Sequence, residues 1–212
     1  RFIIEDYDSK APFSGSLPSL VGSYGKPLYV FYVNRGQGIA SFGEKSKESP
    51  ILEYNSADIA YQSTPFVGFR TFLQGSRRGQ SFQAEPFSSW LTQFSGFDPA
   101  KRLPKRFMYV GANELQFREV DTVNQMETNV TFVVLPRENF GAFLKRTTVR
   151  NLHSNEPVSL SMIDGLARIQ PGSQSDIDRL LKTSRQMLQS QTKVLFSKKY
   201  GSRAPYFTLA RQ

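Results

Sequence analysis

The side chains able to do chemistry fall into a few small groups. Glu5, Asp6 and Asp8 crowd carboxylates together near the start of the chain, the residue types that general acid–base catalysis uses. Neighbours on a strand point to opposite faces, so Glu5 and Asp6 would not meet. Asp6 and Asp8 could share a face, but Ser9-Lys10-Ala11-Pro12 follows, and we read the segment as a strand running into a turn. Arg35 and Gln37 sit in the glycine-bearing stretch Asn34-Arg35-Gly36-Gln37-Gly38, and Arg70 lies among apolar neighbours in Gly68-Phe69-Arg70-Thr71-Phe72. Arg70 is either an outward-facing strand arginine or a ligand contact, with the first the commoner fate. Trp90, Phe94 and Phe97 cluster in a proline-containing stretch. Such rings serve as a sugar-stacking platform or, more often, as a plug at one end of a sandwich. The single histidine, His153, sits in the turn-like run Asn151-Leu152-His153-Ser154-Asn155-Glu156-Pro157, so we expect a solvated or hydrogen-bonded loop histidine.

These groups need elements to hold them. Leu28–Gly43 reads as a hairpin: Tyr29 to Val33 mixes aromatic and β-branched residues on both faces, as suits a strand covered on two sides. Gly36 and Gly38 supply the positive φ or the close backbone approach that a short loop needs, and Ile39 to Phe42 returns. The hairpin would present Arg35 and Gln37 on a rigid loop. Further strands are expected at Arg1 to Asp8, Ile51 to Tyr54, Gly68 to Leu73, Ser81 to Phe87, Phe107 to Val110, Glu114 to Val120, Glu127 to Leu135, Leu144 to Asn151, Val158 to Ile163 and from Tyr206. Glu114 to Val120 alternates, with Leu115 and Phe117 inward and Gln116, Arg118 and the charged residues outward. Pro12 to Pro27 reads as irregular, Asn55 to Thr64 is ambiguous, and Arg77–Arg78 sit on a glycine-flanked tip. One amphipathic helix is expected over 175–191, with Ser175 as N-cap and Ile177, Leu180, Leu181, Met187 and Leu188 on one face. Short strands separated by turn signals give the fold class: mostly β, an antiparallel β-sandwich with one helix near the C-terminal end.

The 212 residues suffice for one substantial core, and we expect a single β-sandwich domain over 1–212. No apolar run is long enough for a membrane helix. Without cysteine, disulfides and thiolate metal sites are excluded, and with one histidine so is a multi-histidine site. The composition fits a reducing compartment, and we expect a cytoplasmic protein. The formal charge of +9 comes from 27 basic and 18 acidic residues. The basic residues are spread in pairs, including Lys105–Arg106 and Lys145–Arg146, without a nucleic-acid motif. Solvated loops are the expectation, with no nucleic-acid partner. Asn129-Val130-Thr131 matches a glycosylation sequon but falls in an expected buried strand.

Several runs carry a resemblance: Ile3-Ile4-Glu5-Asp6-Tyr7-Asp8, Phe31 to Gly43, Gly68 to Phe72, Asn113-Glu114-Leu115, Phe132 to Phe143 and Met162 to Leu166. In order and spacing they resemble the amino-terminal region of large inverting glycoside phosphorylases of the cellobiose phosphorylase-like type, which include phosphorylases of β-1,2- and β-1,3-linked oligoglucans. The resemblance implies a supersandwich-like domain followed by a helical linker and an (α/α)6-barrel catalytic domain. It implies cleavage of a β-glucosidic bond by inorganic phosphate, a co-substrate, with release of α-glucose 1-phosphate; no other cofactor is implied. An acid in the barrel would protonate the leaving oxygen while phosphate attacks in line. This chain would then be a truncated amino-terminal part of a larger enzyme, lacking the catalytic acid. Its partners would be the barrel domain, a second copy in a homodimer, phosphate and a β-glucan oligosaccharide. Arg35, Gln37, Arg70 and Trp90 are the candidate contacts to glycan or to the neighbouring domain.

Overall fold

Val30, Tyr32, Ile39 and Phe42 are all buried in the core, and the architecture grows from the hairpin that carries them. In the computed structural model the described residues are 1–17, 28–44, 50–88, 104–135, 142–169, 192–196 and 205–209. In chain order they form β1 (Phe2–Glu5), β2 (Ser14–Leu17), β3 (Leu28–Val33), β4 (Ile39–Glu44) and β5 (Pro50–Leu52), then helix α1 (Ala57–Ser63). There follow β6 (Gly68–Arg77), β7 (Gln80–Ala84), β8 (Lys105–Val110), β9 (Glu114–Asp121) and β10 (Met126–Val134). The last four are β11 (Phe143–Asn151), β12 (Ser159–Ala167), β13 (Thr192–Phe196) and β14 (Pro205–Leu209). The chain divides into two compact units, Arg1–Pro171 and Gly172–Gln212.

The fold is mostly β, and every strand pairing among the described residues is antiparallel. The first unit holds a five-stranded sheet in the order β1-β8-β9-β10-β11, a four-stranded sheet β2-β3-β4-β5 and a three-stranded sheet β12-β6-β7. The second unit contains the β13–β14 pair, in line with the strand expected from Tyr206. The helix expected over 175–191 lies outside the described residues. Among them the helix is α1, within the stretch the sequence left ambiguous. Two turns without an apolar stripe carry little periodic signal, and α1 is fixed by burying Ala60 against Phe31 and Val33. No described helix is long and apolar enough to cross a membrane.

The period-two alternation explains the core. Leu115 and Phe117 of β9 are fully buried and pack with Val130 and Phe132 of β10, Val30 and Tyr32 of β3, and Ile39 and Phe42 of β4. The five- and four-stranded sheets therefore share one apolar core. Aromatic rings fasten the three-stranded sheet to it: Phe69 of β6 lies 5.1 Å from Phe132, which stacks on Phe143 at 5.5 Å. Phe31 and Val33 face the other way, under α1, so β3 is covered on both sides as its composition implied.

Three expectations need correcting. Ser14–Leu17, read as irregular, is a strand paired with β3; Gly15 fits there because a Cβ would meet the Tyr32 ring at 2.7 Å. Arg77 belongs to β6, not to the tip, and donates to Asn151 Oδ1 at 2.9 Å. Glu119 and Arg106 are not solvated: they share the inner faces of β9 and β8 with Phe117 and Met108, and are 6% and 2% exposed. Arg106 Nε donates to Glu119 Oε2 at 2.8 Å, Nη1 to Asp8 Oδ2 at 2.6 Å and Nη2 to the Ser88 carbonyl at 3.1 Å. Glu119 Oε2 also accepts the Phe87 N–H at 2.6 Å. Buried charge survives because each group is paired and hydrogen-bonded.

On the outer face, Arg118 binds Glu127 Oε2 through Nε at 3.0 Å and Nη2 at 2.6 Å, and Asn129 Nδ2 donates to Oε1 at 3.0 Å. Burial pushes the Glu127 carboxyl up, but these donors and the nearby cations outweigh it and hold it below the usual range. A carboxyl depressed by folding stabilises above its unfolded value of about 4.3 and loses that contribution as acid protonates the folded form. Glu127→Gln should cost about 0.5–1 kcal/mol at pH 7. In urea titrations the gap from wild type should close toward pH 2; a gap independent of pH would refute this account.

Candidate functional site

The hairpin tip is anchored on all sides. Asn34 Nδ2 donates to the carbonyls of Tyr7 and Ala11 at 2.9 and 3.1 Å, and its Oδ1 accepts the Phe13 N–H at 2.7 Å. Tyr7 donates its hydroxyl to the Gly36 carbonyl. Burial raises the Tyr7 pKa well above the ordinary phenol value, opposed by Arg106, so Tyr7 keeps the proton that this bond needs. Asn34, Arg35 and Gln37 are 0%, 6% and 3% exposed. The tip presents its polar groups to the interior of the unit.

Arg35 Nη1 donates to the Tyr61 carbonyl at 3.0 Å, and the guanidinium lies 4.9 Å from the Tyr61 ring centre. Gln37 points toward the three-stranded sheet, where Nε2 donates to Thr71 Oγ1 at 2.8 Å. Thr71 in turn donates to Asp164 Oδ1 at 2.6 Å. Asp164 also binds Lys145 Nζ and accepts Thr147 Oγ1 on its second oxygen at 2.8 Å. One polar chain thus runs from the β3–β4 turn through β6 and β12 to β11. Burial lowers the Lys145 pKa, and Asp164 offsets part of the effect. Removing Asp164 would leave Lys145 and two hydroxyls short of an acceptor, so Asp164→Ala should cost about 1–3 kcal/mol. Urea denaturation checks this, and an unchanged midpoint would mean that the chain of bonds contributes nothing.

Arg70 is held by Glu85, which it binds through Nε at 2.7 Å and through Nη2. Its guanidinium lies 4.8 Å from the Phe72 ring centre. Of the four candidate residues, Gln37 and Arg70 line one small cleft, with Gly36, Thr64, Pro65, Phe69 and the segment Glu85 to Ser88. Arg35 faces Tyr61, and Trp90, with Phe94 and Phe97, lies outside the described residues. The Gln37 Oε1 atom is buried and has no hydrogen-bond partner among the described residues. The cleft offers about 10 Å³ to the centre of a water-sized group, space for one water and far too little for a sugar ring.

His153 is a loop residue as expected: its backbone N–H donates to Asn151 Oδ1 at 3.1 Å, and Nε2 lies 3.6 Å from Glu156. Asp6 and Asp8 form the expected turn, where Asp8 serves Arg106. Among the described residues no three metal-ligating side chains come together. The Thr71–Asp164–Lys145–Thr147 cluster escaped the sequence reading because its members are far apart in the chain, and a lone lysine or threonine on a strand reads as solvent-facing. No protein-family model matches this chain, and no curated protein matches it.

Proposed function

We propose that this chain is the non-catalytic amino-terminal β-sandwich of an inverting phosphorylase that cleaves β-linked glucose oligosaccharides with phosphate to give α-glucose 1-phosphate. The observation that carries the reading is the Gln37–Thr71–Asp164 chain of hydrogen bonds. Three of the runs that resemble the phosphorylases, Phe31 to Gly43, Gly68 to Phe72 and Met162 to Leu166, meet in it. Residues spent on fastening sheets together suit a scaffold that supports a catalytic domain. In this reading the supersandwich-like domain adjoins a helical barrel bearing the acid, and two copies form a cytoplasmic homodimer. Arg35, Gln37 and Arg70 hold the wall of the domain in shape, while glycan and phosphate bind in the barrel.

The test is phosphate release from α-glucose 1-phosphate with β-1,2-, β-1,3- and β-1,4-linked glucose oligosaccharides as acceptors. The 212-residue chain should be inactive, and the longer gene product containing it should release phosphate with one linkage class. A longer product inactive on every acceptor would overturn the reading.

A further inference from the structure

The register of the three-stranded sheet sorts its side chains onto two faces. Thr71 and Leu73 of β6 point into the unit and are buried. The alternate residues, Arg70, Phe72 and Gln74, point out. On that outer face Phe72 pairs across with Ile163 of β12, and Gln74 pairs with Ser161 on one side and Gln83 on the other. A groove of about 390 Å³ lies over these residues, within the size range of small-molecule sites. Phe72 is 40% and Ile163 74% exposed, so the apolar part of the floor is open to solvent.

We propose that this outer face binds a neutral glycan chain. The proposal goes beyond the phosphorylase reading and does not depend on it, because it concerns binding by this chain alone. The chemistry of the face selects the ligand class. Phe72 offers ring surface against which the C–H face of a sugar packs, and the Arg70 guanidinium beside the ring holds it in place. Gln74 and Gln83 each bring both a donor and an acceptor, and Ser161 a hydroxyl, the pairing that sugar hydroxyls require.

Charge narrows the choice further. The chain carries +9 overall, yet among the described residues that line the groove there is no cation, and its one carboxylate, Glu85, is paired with Arg70. The groove therefore gives no purchase to phosphate or to an acidic lipid and favours an uncharged ligand. On β6 its floor runs from Phe72 to Gln74, two strand steps or about 7 Å, a seat for a short stretch of glycan.

The test is migration of the 212-residue chain in native gels containing soluble β-glucans, with NMR titration against the corresponding oligosaccharides. Retardation should be strong in the unmodified chain and weakened at least tenfold in Phe72→Ala. Ser161→Tyr, which fills the groove without removing the ring, should abolish it; circular dichroism confirms that both variants fold. Absence of binding to any glycan overturns the proposal. So does binding that survives both substitutions, or that is lost in Trp90→Ala while Phe72→Ala retains it. Covering of the face by a protein partner, seen as a dimer broken by Phe72→Ala without glycan binding, also overturns it.

Discussion

Replacing Arg106 with methionine is expected to lower the unfolding free energy by about 3–5 kcal/mol at neutral pH. Arg106 neutralises Asp8 and Glu119, and the side chains of all three are at most 7% exposed. Methionine fills much of the volume but leaves two carboxylates and the Ser88 carbonyl without their partner. The effect should depend on pH in a defined sense. Burial already pushes the Glu119 carboxyl up, against the pull of Arg106 and the Phe87 N–H. Without Arg106 it rises further. A carboxyl raised by folding favours the folded state when protonated and loses that advantage as pH climbs through the folded value. The penalty should therefore be smaller at pH 4 than at pH 7. Urea denaturation at the two values checks both points, and a loss under 1 kcal/mol at pH 7 would show that the cluster is not a keystone of the fold.

Gly38→Ala should be comparably damaging, by about 3 kcal/mol or more when left-handed strain and overpacking add. Gly38 has φ +75°, and a Cβ there would lie 2.3 Å from Cζ of Phe117, itself fully buried. The Phe117 ring is packed against Tyr7, Phe87 and Phe132, and the Val33 carbonyl would lie 3.2 Å from the same Cβ. Gly79 is the internal comparison: its φ is +79°, but a Cβ would meet nothing within 4 Å. Gly79→Ala should therefore cost only the conformational strain, about 1–2 kcal/mol. Thermal unfolding of the two variants separates the causes. Equal losses would mean that the approach of the hairpin turn to Phe117 is not a constraint.

Much of the fold was legible because the strands obey period two. Leu115 and Phe117 announce the inner face of β9, and the Phe31 to Gly43 run announces both the hairpin and its tight turn. The same alternation, carried one step further, puts Glu119 inward; charge obscured that step, since an isolated carboxylate is expected in water. Arg106 was hidden for the same reason, in a basic pair that reads as loop. Ser14–Leu17 is a strand despite its glycine and serines because Tyr32 needs a small neighbour across the ladder. The candidate residues were legible as residues and not as a site. Arg35 and Arg70 each have partners, Tyr61 and Glu85, that no local pattern indicates. The outer face of the three-stranded sheet joins Phe72 to Ile163, and pairings at such separations leave no trace in spacing.

Those distant pairings set a timetable for folding. β8, β9, β10 and β11 follow one another as a meander, each pairing with the next, so their ends meet at little entropic cost. β1 must find β8, and β6 must find β12 across the 93 residues that separate Thr71 from Asp164. Non-local closures of this kind place folding in the millisecond-to-second range. The meander is the natural nucleus, and the three-stranded sheet is the last part to close. Amide protons of β9 and β10 should accordingly gain protection in pulse-labelled refolding before those of β6 and β12. Until that final closure, Leu73 and Phe69 stay uncovered, and the interval before it is when the chain is most open to association with its own kind.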